Sequence, residues 1–188
     1  ICGTETFPYT MYDNWKETLE NSNVIGDFVW TAIDYLGEAG IGRVSIDREE
    51  ANNFLGKYPW FLANCGDIDI CGEKRPQSYY RDIVWRNRKD PIIFALPPEL
   101  YGKKLYMRAW SWEPVERIYN FKGYEGKPIR IYIYADADEV ELFLNGKSLG
   151  RKLSGEKVKF KTIYDITYEP GILEVIAYKD GKEIGSDR

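Results

Sequence analysis

The 188-residue chain contains no histidine, so any chemistry it carries must be sought in its carboxylates and flat aromatic rings. Missing imidazole removes Ser-His-Asp and Cys-His nucleophile pairs, the HExxH zinc helix and histidine acid–base catalysis. Glu5 closes a short extended run, Ile1–Glu5, just before an aromatic loop through Phe7 and Pro8. In α/β barrels catalytic groups sit at the C-terminal ends of strands, where a carboxylate can act as a nucleophile. A helix-capping or ion-paired glutamate is the structural alternative. Trp30 closes the next apolar run, where an indole either stacks on the C–H face of a sugar or packs in the core. Asp34 and Glu38 follow on its loop, and Asp67 and Asp69 lie on a later one. Acids so placed bind hydroxyls or cations, or are simply solvated. Cys2, Cys65 and Cys71 are odd in number and lack CxxC spacing, so they read as free or buried thiols rather than a disulfide framework or zinc site.

Two kinds of sequence pattern must hold these residues. All six tryptophans lie at or before Trp112, and Pro97-Pro98 interrupts regular structure nearby, which places a domain boundary in the region 97–112. Before it, strand-like and helix-like patterns alternate, the grammar of an α/β fold. Met11, Trp15 and Leu19 share one face of a helix expected over Met11–Asn21. Phe28-Val29-Trp30, within Val24–Ile33, is too apolar for a strand with a wet face and reads as one buried on both sides of a parallel sheet. Gly37–Gly72 reads as irregular, and Ser78–Arg86 as helical with Tyr79, Ile83 and Arg86 on one side.

Beyond the boundary the pattern is β throughout. Ile129, Ile131 and Ile133 alternate with other residues, as do Val140, Leu142 and Leu144. Asn145-Gly146 and Asp180-Gly181 sit where a type I′ hairpin needs positive φ, and Tyr168-Glu169-Pro170-Gly171 is a third turn. Short strands at this spacing suggest an antiparallel sandwich of immunoglobulin type. The formal charge of −4 argues against a nucleic-acid partner, and no apolar run is long enough for a membrane-spanning helix.

The segment Val24–Glu38, with Tyr58-Pro59-Trp60-Phe61, Cys65-Gly66-Asp67-Ile68-Asp69 and Lys74–Arg81, resembles the last barrel strand and following loops of glycoside hydrolase family 2, the β-galactosidase and β-glucuronidase family. Cys2-Gly3-Thr4-Glu5-Thr6-Phe7-Pro8 resembles the family's seventh strand, and Tyr134–Gly150 the β-sandwich that follows the barrel in many bacterial members. The resemblance implies an α/β plus all-β chain. Residues 1–100 would be the seventh and eighth units of a (β/α)8 TIM barrel. Residues 101–188 would be an immunoglobulin-like β-sandwich, short enough to lack its last strand.

Retaining, exo-acting hydrolysis of a β-galactoside or related glycoside is what the resemblance further implies, with no cofactor or metal. One carboxylate attacks the anomeric carbon, and an acid about 5–5.5 Å away protonates the leaving oxygen. Glu5 matches the catalytic nucleophile, Trp30 a tryptophan lining the sugar subsite, and Asp34 an acidic substrate-binding position on the loop. The family's acid/base belongs to an Asn-Glu pair on the fourth strand, which is not in this sequence, so the chain alone is expected to be inactive. An open barrel edge would suit a second copy of the chain, giving a homodimer, and family analogy points to a periplasmic or secreted setting. The competing reading is a non-catalytic carbohydrate-binding or structural sandwich, with Tyr132, Tyr134, Tyr164, Tyr168 and Tyr178 as its candidate stacking face.

Overall fold

The structure, a computed structural model, describes all 188 residues. The chain divides into two compact units, one made of residues 1–81 with 103–113 and the other of residues 82–102 with 114–188. Sequence position and spatial unit therefore part company around residue 100.

In the first unit, strand β1 (Cys2–Thr6) and strand β2 (Gly26–Val29) pair in parallel, and helix α1 (Met11–Glu20) makes the crossover between them. A parallel pair requires such a crossover, because a tight hairpin cannot reverse the chain twice. Thr10 leads into α1 with its hydroxyl bound back to the Phe7 carbonyl at 2.9 Å, and Asn21 closes it by donating to the Glu17 carbonyl. The expected helical face fades along its length: Met11 is buried, Trp15 half-buried and Leu19 exposed. The Phe28–Trp30 run is a strand only as far as Val29, and it is not buried on both sides, since Phe28 is 69% exposed. With only two strands in this sheet, no further strand or helix covers that ring.

Gly37–Gly72 is irregular apart from one short helix, α2 (Arg48–Asn52). Asp47 starts it by accepting the Glu49 N–H at 2.8 Å, and Glu49 and Glu50 favour its first turn through the helix dipole. Helix α3 (Pro76–Val84) begins two residues before the expected start, with proline in the first-turn position that its fixed φ suits. It ends before Arg86, which lies exposed with φ of 59° rather than on the helix face. A small core of Ile41, Ala63 and Cys65 is packed by Tyr35 and Trp110.

The second unit is a β-sandwich. Strand β3 (Ile92–Leu96), β4 (Pro128–Tyr134) and β7 (Lys161–Thr167) form a sheet in the order β3-β4-β7. Strands β5 (Glu139–Leu144), β6 (Lys147–Leu153), β8 (Leu173–Lys179) and β9 (Lys182–Asp187) form the other, in the order β6-β5-β8-β9, and every pairing is antiparallel. Alternation delivers Ile129, Ile131 and Ile133 to the core from one sheet, and Val140, Leu142, Leu144, Leu173, Val175 and Ala177 from the other. Asn145-Gly146 (φ 52° and 77°) and Asp180-Gly181 (φ 50° and 73°) turn their hairpins with the positive φ pair of a type I′ turn.

The tyrosine face does not form. Tyr132 and Tyr134, expected opposite the isoleucines and open to ligand, are 7% and 0% exposed. This sheet is covered on both faces, and Tyr134 packs its ring against Phe94 with centroids 5.1 Å apart. Tyr164 and Tyr168 are buried as well, their hydroxyls bound inside the sandwich to the Val140 carbonyl and the Phe121 N–H respectively. Tyr178 is half-buried, with the Arg151 guanidinium 3.7 Å over its ring.

Candidate active site

Parallel pairing sets the candidate site in the first unit. Both strands point the same way, so Glu5 near the end of β1 and Trp30 just after β2 arrive at the same edge, and the backbone N–H of Trp30 donates to the Thr6 carbonyl at 3.1 Å. The pairing register slips between Gly3 and Thr6, an irregularity that re-aims side chains at the strand end. Glu5 is exposed, caps no helix, and its carboxylate forms no hydrogen bond or ion pair within the chain. Neither the helix cap nor the ion pair forms at Glu5. Trp30 is 40% exposed, and the Trp30–Thr31 peptide is cis.

Trp30 is held by its neighbours on the loop. Its indole N–H donates to the Tyr35 hydroxyl at 3.0 Å, the two rings meet edge to face, and the Tyr35 hydroxyl in turn donates to the Glu38 carboxylate. Burial pushes the Tyr35 phenol up to about 12, helped by the hydrogen bond to Glu38.

Asp34, expected at the sugar, turns into the protein. It is 5% exposed and accepts from the backbone N–H groups of Asn64, Cys65 and Gly66 at 3.2, 3.2 and 3.3 Å, with Arg75 at 3.9 Å. Gly66 is needed for that approach, since a Cβ there would stand 2.3 Å from the Asp34 nitrogen. What Asp34 does in this geometry is fix the loop behind Trp30. Residues 31–34 are tied to the later loop by the Asp67 N–H to the Thr31 carbonyl, the Ile68 N–H to Ala32, and the Asp34 N–H to Ile68.

The other two loop acids are engaged too. Asp67 forms a buried ion pair with Arg81 at 2.5 Å, and Asp69 accepts the N–H groups of Cys71 and Glu73 in a local turn. Arg75 reaches the Asn64 side chain at 2.9 Å and the Gly66 carbonyl at 3.3 Å, and burial lowers its proton affinity. Gln77 donates to the same Gly66 carbonyl at 2.7 Å. Burial pushes the Cys65 thiol up to about 12, with the Asp34 charge adding to the effect. All three cysteines are free thiols, and no cluster of three or more acids or cysteines is placed to hold a metal ion.

Sequence reasoning gave Tyr35, Arg75, Gln77 and Arg81 no role, although all four stand in the segments that carry the family resemblance. For the two arginines the signal was the charge of Lys74–Arg81 set beside two acids in Cys65–Asp69. Deeper in the unit, Arg43 is buried and donates to the carbonyls of Gly40, Glu50, Asn53 and Phe54. An arginine can gather backbone acceptors in this way through its planar fork of donors.

Glu5 and Trp30 thus stand at one carboxyl edge of the parallel strand pair, and the comparisons with known proteins show which proteins share this sequence and fold. Residues 126–185, within the sandwich, match the family described as a domain of unknown function, DUF4982. The chain is 31% identical over 160 residues to a putative β-glucuronidase of Formosa agariphila, covering 85% of this chain and 12% of that protein. It is 27% identical to a β-galactosidase of Bacteroides ovatus, covering 95% of this chain and 18% of that protein. Its fold matches a solved glycosyl hydrolase family 2 member from Bacteroides cellulosilyticus with a TM-score of 0.84 and 36% identity, over 100% of this chain and 24% of that one.

These matches identify the chain as glycoside hydrolase family 2 sequence. It spans a quarter or less of the length of each of these relatives.

Proposed function

We propose that the chain is the part of a retaining, exo-acting glycoside hydrolase that carries the nucleophile. The parallel pair β1–β2 derives from the seventh and eighth units of a (β/α)8 barrel, and the sandwich that follows is immunoglobulin-like. Residues 1–100 and 101–188 are the two evolutionary domains in this reading, with β3 lent to the sandwich sheet. Glu5 attacks the anomeric carbon of a β-galactoside or related glycoside, Trp30 supports the sugar ring, and Asp34 holds the loop that carries Trp30. The observation that carries the reading is the convergence of an unpaired Glu5 and a half-exposed Trp30 on one strand edge.

Retaining hydrolysis needs a second carboxyl about 5–5.5 Å from the first to protonate the leaving oxygen. Asp34, Asp67 and Asp69 are each engaged by backbone N–H groups or an arginine, so none of them is poised for that work. The purified chain should therefore not turn over nitrophenyl β-galactoside or nitrophenyl β-glucuronide. Turnover comparable with a full-length relative would overturn the division of labour. In the Bacteroides cellulosilyticus relative, the residue aligned with Glu5 should be a glutamate whose replacement by glutamine abolishes covalent trapping by a 2-fluoro glycoside. Retained trapping would remove Glu5 as nucleophile.

The two-stranded sheet leaves Phe28 and Ile25 exposed, an edge that a second copy can cover. Light scattering that finds only monomer at high concentration would exclude that dimer.

A further inference from the structure

Among the cavities, ion pairs and exposed faces of the molecule, one arrangement has a direction built into it. Trp30 presents an indole N–H, which can only donate, and Glu38 a carboxylate, which when ionised can only accept. The Tyr35 hydroxyl lies between them, 3.0 Å from the indole nitrogen and hydrogen-bonded to Glu38. Because the phenolic O–H donates to Glu38, the lone pairs of Tyr35 are left to accept from Trp30. The Tyr35 ring is itself seated on Ile41, Ala63 and Cys65, and its backbone carbonyl accepts the Ala63 N–H at 3.0 Å. Glu38 stands in left-handed backbone with φ of 42°, directly after Gly37. Glycine or asparagine would adopt that conformation with less strain, so the glutamate side chain is carried here at a backbone cost.

We propose that Tyr35 and Glu38 are positioning residues for Trp30, a relay in which Glu38 orients the Tyr35 hydroxyl so that it fixes the indole at the candidate sugar site. The purpose of the relay rests on the reading of Trp30 as a sugar platform; its existence does not. A flat ring that supports a sugar gains from being held before the sugar arrives, because ordering it on binding would cost affinity. Glu38 acts here through Tyr35 and touches no reacting atom.

The test uses the intact 188-residue chain labelled with nitrogen-15, with the Trp30 indole N–H signal assigned by its loss in Trp30→Phe. Tyr35→Phe should shift that signal and speed its solvent exchange by roughly five- to tenfold, the factor corresponding to one net hydrogen bond. Glu38→Leu should move the signal in the same direction, while Glu38→Gln, which keeps an acceptor for the phenol, should restore it. A purely space-filling role for Tyr35 predicts no such rescue pattern. An unchanged Trp30 signal in folded Tyr35→Phe would overturn the relay. Should Tyr35→Phe fail to fold, an unchanged signal in Glu38→Leu, which alters an exposed loop side chain, would overturn it equally. Titration of the unaltered chain with methyl β-galactoside then separates the two ideas. Perturbation of the Trp30 signal by this sugar or by methyl β-glucuronide supports the platform, and its absence with both sinks the platform while leaving the relay to stand or fall on the variants.

Discussion

The parallel-strand unit and the sandwich are built from opposite materials. In the sandwich, every strand except β6 and β9 sends an alternating apolar row into one core, and the polar atoms there are mostly backbone groups already paired in the sheets. In the parallel-strand unit the buried side chains include Arg43, Asp34, Asp67, Gln77 and Arg81, while Phe28, Ile33, Leu36, Tyr58 and Phe61 are exposed. One unit gathers an apolar core between two sheets. The other uses buried charge to hold irregular loops in place and leaves an apolar surface and a carboxylate open. That difference is what the proposed site would require: a site needs groups held in costly arrangements, whereas a scaffold needs only patterning.

The comparison can be broken at its most demanding point, the Asp67–Arg81 pair. Asp67→Leu takes the carboxylate away from the buried Arg81 guanidinium and should cost about 3–5 kcal/mol in urea unfolding, whereas Asp67→Leu with Arg81→Met should recover most of that loss. A single variant as stable as the parent would show that the first unit does not depend on buried charge. In the sandwich, Leu142→Ala opens a cavity in the core and should cost about 2–5 kcal/mol in the same measurement. A cost well below that range would mean the sheets collapse around the gap, contrary to a closely packed core. Gly66→Ala forces a Cβ against the Asp34 nitrogen and should cost about 1–3 kcal/mol, with loss of the Cys65 and Gly66 amide protection in hydrogen exchange.

Alkaline pH gives a gentler test. The folded state holds the Cys65 thiol proton more tightly than the unfolded chain does, with the thiol raised from an ordinary value near 9 to about 12. Its contribution is therefore complete below pH 9 and lost as the pH rises toward 12. Urea midpoints should fall over that window, and Cys65→Ala should reduce the slope; an unchanged slope would remove Cys65 from the account. The smallest effect belongs to the sandwich surface. Arg130 and Asp165 form a two-point pair at 2.7 and 3.0 Å, but both are substantially exposed, so Asp165→Asn should cost less than about 1 kcal/mol and less still in high salt.

The sandwich was legible because its determinants are local. Period-two alternation names the inward residues of β4 and β5, and Asn145-Gly146 and Asp180-Gly181 name two turns without reference to anything distant. Its tyrosines were harder to read, since alternation places Tyr132 and Tyr134 on the second face of the sheet and says nothing about what covers that face. Helix α2 was also readable in principle, from Asp47 with Glu50 three residues on, but five residues produce no hydrophobic period. In the candidate site, Glu5 and Trp30 could be singled out from their places at the ends of an extended run and an apolar run respectively. The engagement of Asp34 by Asn64, Cys65 and Gly66 joins residues thirty or more positions apart, and no spacing rule reaches that far.

By itself, then, the sequence determined the absence of histidine chemistry, the change from α/β to β grammar, the inward rows of the sandwich, and which residues stand at strand ends. Each of these follows from residue type or from a period shorter than ten residues. Only the tertiary structure decided that Glu5 is unpaired, that Asp34 faces inward, that Tyr35 and Glu38 hold Trp30, and that β3 joins the sandwich. Those outcomes depend on which distant backbone donors and charges arrive at the same place. Burial makes their pairing obligatory once they meet, but only folding brings them together.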